Sequence, residues 1–312
     1  MKQRLISGIA LLLGLFLVVF KAPFPVFFLA FLIIAGLSIW EYSKLIYNDN
    51  PNLEPNRKWQ WWYLLIIIVA TLFPFVPAAT VYFSLGTENY AKSLEFYKTF
   101  AGNTMFYAVF MWLFSLIIYR KTETLYNILH PRLVAIFAAL INSAFFSALF
   151  VIRYIEPTTQ EFMLNNSTVL MFYIFCLVVC ADSGAYFVGR AIGKRKLCPT
   201  ISPNKTVEGL LGGVLSAIIC AVIFINFTSL GDNILTTKRL VAFIVFSIIS
   251  VLFAVHGDLV ESFIKRRAKV KDSSNLIPGH GGVLDRLDSL QPAFTFMAYF
   301  WVILTSNDFF TF

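Results

Sequence analysis

Apolar residues run along this chain in long blocks rather than in narrow stripes. LISGIALLLGLFLVVF (5–20) and FIVFSIISVLFAV (243–255) show the character. A helix that is apolar nearly all round belongs inside protein or lipid. Blocks near twenty residues match the ~30 Å hydrocarbon core of a bilayer. The pattern predicts about nine spanning helices, over 5–20, 25–46, 60–84, 101–119, 132–154, 168–189, 208–229, 239–264 and 289–305. Pro74 and Pro77 fall inside the third, which is expected to kink or to split into two shorter helices. The expected fold class is all-α, a polytopic integral membrane protein. Five spans fall in an N-terminal region, 1–165, and four in a C-terminal region, 166–312, which holds the polar motifs. Lys2 and Arg4 ahead of the first block resemble a signal peptide. The next block follows almost at once and no small-residue cleavage site stands out, so 5–20 reads as a retained span.

Composition agrees with this picture. Of 312 residues, 58% are hydrophobic and 13% charged, against about 25% charged in soluble domains. Of the four cysteines, Cys176, Cys180 and Cys220 sit in apolar blocks. No zinc-like ligand pattern surrounds them, and they read as small buried hydrophobes. The net charge of +8 is uneven. With spans alternating, the N-terminal side collects most Lys and Arg and is expected to be cytoplasmic. Loops 190–205 and 265–286 supply most of that bias. Two spans separate these loops, so both emerge on one face.

Charges inside spans cost about 2.5–3.5 kcal/mol each at the bilayer centre and usually face a cavity or a partner. Three places stand out. In CADSGAYFVGRAIGKRK (180–196), Asp182, Tyr186 and Gly189 share one helical stripe. The plain alternative is an Asp that pairs locally, for instance with Arg190. In ISPNKTVEGLLGG (201–213), Ser202-Pro203 reads as a helix start with Glu208 suiting the dipole. Gly209, Gly212 and Gly213 give a thin face for close packing. Lys205 on a loop feeding a helix would suit phosphate. In the third, HGDLVESFIKRRAKVKDSSNLIPGHGGVLDRLDS (256–289), Asp258, Glu261, Ser262 and Lys265 share one face. Asp285 and Asp288 begin the next helix. Acidic positions beside a cationic loop suit polyphosphate chemistry. Carboxylates hold Mg²⁺ with open positions for phosphate, and Lys and Arg neutralise the remaining charge. Surface salt bridges in a positive anchor would explain the cations but not Asp258 and Glu261 within an apolar span. The residues thus point to a cytoplasm-facing, metal-dependent site for a phosphorylated lipid.

SFIKRRAKVKDSSNLIPGHGGVLDRLD (262–288) resembles the signature of the phosphatidate cytidylyltransferase (CDP-diglyceride synthase) family, with every fixed position met. ADSGAYFVGR (181–190) and ISPNKTVEG (201–209) are similar to its other blocks. The first five spans match in hydrophobicity alone. The resemblance implies transfer of CMP from CTP to phosphatidate, giving CDP-diacylglycerol and pyrophosphate, with Mg²⁺ as cofactor. It implies Asp258 and Asp285 as metal ligands, with Asp288 and Asp182 next. Lys205, Lys265, Arg266, Lys271 and Arg286 would hold phosphates. Glu261 would stand behind the ligands or pair with Lys265, and Asp272 would orient Lys271 or Arg286. His280 would either donate to a phosphate or shape the glycine turn. Gly281 and Gly282 would let backbone N–H groups approach phosphate or simply turn the chain. Ser202 and Tyr186 are further substrate-binding candidates. The expected partners are CTP, phosphatidate, membrane lipid and a second copy of the chain as a homodimer; nucleic acid is not among them. Short loops suggest a bacterial inner membrane. The competing readings are an ether-lipid cytidylyltransferase, a polyprenol kinase and a phosphorylated-anion transporter. Against a transporter, the charges gather at one mouth and no pair of broken helices occurs in two related halves.

Overall fold

A computed structural model describes residues 13–47, 57–119, 122, 124, 125, 130–154, 166–228, 237–279 and 281–306. Among the described residues, beside the helical stretch 13–20, ten helices carry the chain: α1 Phe24–Tyr47, α2 Arg57–Leu72, α3 Phe75–Phe83, α4 Tyr90–Ser115, α5 Pro131–Tyr154, α6 Asn166–Ile192, α7 Val207–Phe227, α8 Thr237–Arg267, the single turn α9 Leu284–Leu287, and α10 Leu290–Ser306. A short 3₁₀ turn, Leu116–Tyr119, prolongs α4.

Helix α5 is the hub. Phe145, Phe146, Leu149 and Phe150 on it are fully buried, and it packs on α2, α4 and α10 and also on α6 and α1. Its rings meet partners from both ends of the chain: Phe150 meets Phe27 of α1 at 5.9 Å and Phe145 meets Phe294 of α10 at 5.7 Å. Edge-to-face pairs of this kind add to simple burial. One core therefore serves both regions of the chain.

Among the described residues, seven segments are long and apolar enough to cross a membrane, so the protein is an integral membrane protein of helical type. The expected nine are not reached. Most of the first lies outside the described residues, which show helix there over 13–20. The ninth is 17 residues long and largely buried against other helices. The third breaks as expected, because Pro74 ends α2 and starts α3. Helix α4 begins at Tyr90, earlier than expected, since its first turns are polar and escape a search for apolar blocks.

Ser202-Pro203 does not start a helix. Strand β1, Lys196–Cys198, pairs antiparallel with strand β2, Ser202–Thr206. Helix α7 then starts after Thr206, whose backbone is extended and whose Oγ1 accepts from Gly209 N at 3.1 Å. That is an ordinary N-cap. Helices α6 and α7 pack closely through glycines. A Cβ on Gly184 would collide with Ser216, one on Gly212 would sit 2.5 Å from Val188, and one on Gly213 would sit 2.9 Å from Ala181 O. The thin face expected on α7 thus packs against α6 and carries the β1–β2 hairpin to the lower end of α8.

Candidate active site

The site forms where the hairpin, the end of α8 and the loop 268–283 converge. Lys205 leaves strand β2 and reaches Asp258 on α8, with Nζ 2.6 Å from Oδ2. It also donates to Val255 O at 3.3 Å. Ser262, one turn on, donates to Asp258 Oδ1 at 3.3 Å. The pair is part-exposed, so it adds little stability by itself. What it does is fix the hairpin against α8.

The next turns of α8 go inward. Lys265 is buried and donates to Glu261 Oε2 at 2.7 Å and to Asp285 Oδ1 at 2.5 Å. A buried cation between two carboxylates offsets charge that neither acid could carry alone. The other oxygen of Asp285 accepts from Ser273 N at 3.0 Å, Ser273 Oγ at 2.9 Å and Gly282 N at 2.7 Å. Burial pushes the Asp285 carboxyl up, but Lys265 and the N–H groups of Gly282 and Ser273 overcome this and hold it below the usual carboxylate range. Asp288 behaves the opposite way. Burial, with the charges of Asp258 and Glu261, pushes its carboxyl well above that range.

Glu41 was not singled out from the sequence, yet it anchors the same loop. It is fully buried on α1. Its Oε1 accepts from Ser274 Oγ at 2.6 Å and Val283 N at 2.9 Å, and its Oε2 from Ser273 Oγ at 2.9 Å and Leu284 N at 2.7 Å. The signal was available: Glu41 is the acid in an apolar block of 24 residues, and such an acid marks a site by default. The paired glycines follow from these acids. Gly281 has φ +81°, a Cβ there would sit 2.5 Å from Asp285 Oδ2, and one on Gly282 would sit 2.5 and 2.6 Å from the Glu41 oxygens. The N–H of Gly282 meets Asp285 within this turn.

On the outer side of this loop lies a cavity of about 590 Å³ lined by Lys271, Asp272, Asn275, Ile277, Pro278, Gly279, Gly281 and Arg286. Lys271, Asp272 and Arg286 are exposed to it, so two of the expected phosphate-holding residues share one basin with the acid expected to orient one of them. Arg266 is exposed and donates to Val270 O at 3.1 Å, closing the end of α8. Asp182 stands exposed on α6 and feels the charges of Asp258, Lys205 and Arg286. Arg190 does not pair with it but donates to Tyr186 Oη at 3.0 Å. Ser202 sits in the hairpin opposite Cys198. His280 lies outside the described residues.

Among the described residues no three acids, histidines or cysteines are prearranged as a metal cage. Magnesium does not require one, because it keeps water and phosphate in its shell and takes one or two carboxylates. The mutual repulsion that raises Asp288 is what a hard dication would relieve. Asp182 and Asp288 both feel the charge of Asp258, and oxygen donors of this kind are the chemistry a hard dication takes. Asp285, expected as a leading ligand, has both oxygens engaged by Lys265, Ser273 and Gly282.

Comparison with known proteins agrees with this chemistry. A model of the cytidylyltransferase family matches residues 2–304. A phosphatidate cytidylyltransferase of Haemophilus influenzae is 36% identical over 305 residues, covering 96% of this chain and 98% of that protein. One of Bacillus subtilis is 45% identical over 139 residues, 44% of this chain and 48% of the relative. One of Staphylococcus haemolyticus is 45% identical over 117 residues, 38% of this chain and 43% of the relative.

Proposed function

This chain belongs to the cytidylyltransferase family, and we propose that the ionic cluster and the cationic cavity beside it carry out its reaction. The enzyme is a nucleotidyltransferase of phospholipid biosynthesis. It joins CTP and phosphatidate to give CDP-diacylglycerol and pyrophosphate. A phosphatidate oxygen attacks the α-phosphorus of CTP; the bond from that phosphorus to the bridging oxygen breaks, and pyrophosphate leaves with the electron pair. The lipid phosphate is already an anion, so no protein nucleophile is required.

The obstacle is repulsion between two polyanions. Lys271 and Arg286 in the cavity are placed to hold the β- and γ-phosphates, with Asp272 orienting them. Lys205, at the junction of hairpin and α8, meets the phosphates where they approach Asp258. Lys265 keeps Asp285 in place from below. Asp258 and Asp288, with Asp182, would hold Mg²⁺, whose chemistry there would be neutralisation of phosphate charge. The lipid phosphate would enter along α6, past Asp182 and Tyr186, at the depth where a membrane lipid carries its headgroup. The cavity and both basic loops would face the cytoplasm of a bacterial cell across its inner membrane.

The observation that carries this reading is the cavity, where Lys271 and Arg286 stand against a loop fixed by buried carboxylates. Purified protein given labelled CTP, phosphatidate and Mg²⁺ should yield a cytidine-labelled lipid and pyrophosphate. Release of CDP with no cytidine on the lipid would indicate a kinase, and a transporter would make neither the labelled lipid nor pyrophosphate.

A further inference from the structure

The N-terminal helices carry no recognisable motif, but one residue there reaches into the chemistry. We infer that Glu41 is a positioning residue that sets the shape of the cationic cavity. The inference rests on the reading of that cavity as the nucleotide phosphate site.

The geometry is a clasp. Each Glu41 oxygen takes one donor from the start of the loop and one from its end. Oε1 joins Ser274 to Val283, and Oε2 joins Ser273 to Leu284. Between those ends runs the segment that supplies Asn275, Ile277, Pro278, Gly279 and Gly281 to the cavity wall. Asp285 makes a second, inner clasp by joining Ser273 to Gly282 and tying both to Lys265 on α8. Glu41 is the outer clasp, and it ties the loop to α1.

A buried carboxylate in a membrane-length helix is costly unless its oxygens are satisfied. Here the donors come from the loop and the first residue of α9, with the single Ser273 hydroxyl proton shared between Glu41 and Asp285, and among the described residues none comes from α1. A residue serving α1 alone could be replaced by an apolar one. Glu41 makes sense as the part that orders the loop. Gly282 fits this too, since a side chain there would run into both Glu41 oxygens. The neighbouring Tyr42 donates to Gln291 of α10 at 3.4 Å, and Gln291 donates to Asn142 of α5 at 2.6 Å. The segment of α1 holding Glu41 is thus braced against the hub helix.

The test uses the full-length protein in detergent, with two readouts on Glu41→Gln and Glu41→Ala. Hydrogen exchange of the Val283 and Leu284 amides is measured without nucleotide. Removing the acceptor should raise their exchange rates by about 100-fold in Glu41→Ala, and by less in Glu41→Gln, which keeps one acceptor oxygen. Steady-state kinetics should then show KM for CTP raised about ten-fold or more, with kcat reduced much less, as for lost positioning of bound phosphates. Unchanged exchange at Val283 and Leu284 would overturn the clasp. Faster exchange with an unchanged KM, or kcat falling alone, would overturn the positioning role. If Glu41→Ala fails to fold, Ser274→Ala removes one donor from the same oxygen. It should raise KM about three-fold and loosen Val283, and no change in either would sink the idea. A wild-type protein inert toward CTP would count against the proposed reaction, while the exchange measurement, which contains no nucleotide, would still decide the clasp.

Discussion

A methyl group on Gly282 has nowhere to go. It would collide with Ser273 Oγ and meet both Glu41 oxygens at 2.5–2.6 Å. These are the ends of side chains, but each is held by other donors. Gly282→Ala should therefore destabilise the protein by about 1–3 kcal/mol, read as a lowered melting temperature in detergent. An unchanged melt would mean that the loop yields freely. Asp285 gives a test of opposite character. Its carboxyl is held below the ordinary value, so its charged form stabilises the fold. That contribution is complete above the unfolded value of about 4 and fades as pH falls through the lower folded value. Asp285→Asn should leave Lys265 buried with one carboxylate fewer and reduce turnover about 100-fold or more. It should also flatten the loss of thermal stability below pH 4 seen in the wild type; a parallel acid profile would refute the assignment. Asp288 is pushed up by burial and by Asp258 and Glu261. Mg²⁺ that relieves this should raise the wild-type melting temperature in the absence of substrates, and Asp288→Asn should abolish most of that rise. Chelator with no effect on the wild-type melt would remove the metal from these residues. At this scale the sequence exposed what is contiguous. The run 262–288 names Lys265, Asp285 and the glycine pair because their spacing is local. Glu41 reaches the same loop from more than 200 residues away, and periodicity carries no trace of that pairing.

Helices α6 and α7 are the pair in which element packing and site geometry depend on each other. Asp182 rides on one and Lys205 sits just ahead of the other, so the crossing of the two sets how these charges approach Asp258. Glycine makes that crossing close. A larger residue at 184 would strike Ser216 and come within 2.8 Å of Gly212 O. Gly184→Val should cost about 1–3 kcal/mol, measured by thermal unfolding. Ser216→Gly in the same chain should recover part of the loss, with the Gly212 carbonyl keeping the rest. Full recovery would assign the constraint to Ser216 alone. Among the described residues, apolar blocks revealed the seven membrane-length segments and α10 as well, because lipid-exposed and buried faces are both hydrophobic, so length alone marks a span. The β1–β2 hairpin escaped for the same reason in reverse. Its strands have three and five residues, are only partly buried and lack alternation, and Pro203 mimics a helix start. Tertiary contact, through Lys205 to α8, holds it in place.

Across the whole molecule, the length of α8 makes orientation testable. Its 31 residues span about 46 Å at 1.5 Å per residue, enough to carry Lys238 and Arg267 to opposite faces of a bilayer. The C-terminal part of α8, the hairpin and the cavity loop are joined by Lys205–Asp258 and Lys265–Asp285, so they share one face, as the two spans between the basic loops required. We propose that this face is the cytoplasmic one, on the positive charges it carries and on the cytoplasmic location of CTP. In a background with Cys176, Cys180, Cys198 and Cys220 replaced by alanine, Lys196→Cys and Lys269→Cys report the site face, and Lys238→Cys reports the other. A membrane-impermeant maleimide added to spheroplasts should label Lys238→Cys and spare the other two, and inverted vesicles should reverse the pattern. Labelling of Lys196→Cys or Lys269→Cys from outside would place the cationic cavity away from its nucleotide and would rule out the proposed reaction in the cell, however well the purified protein performs it.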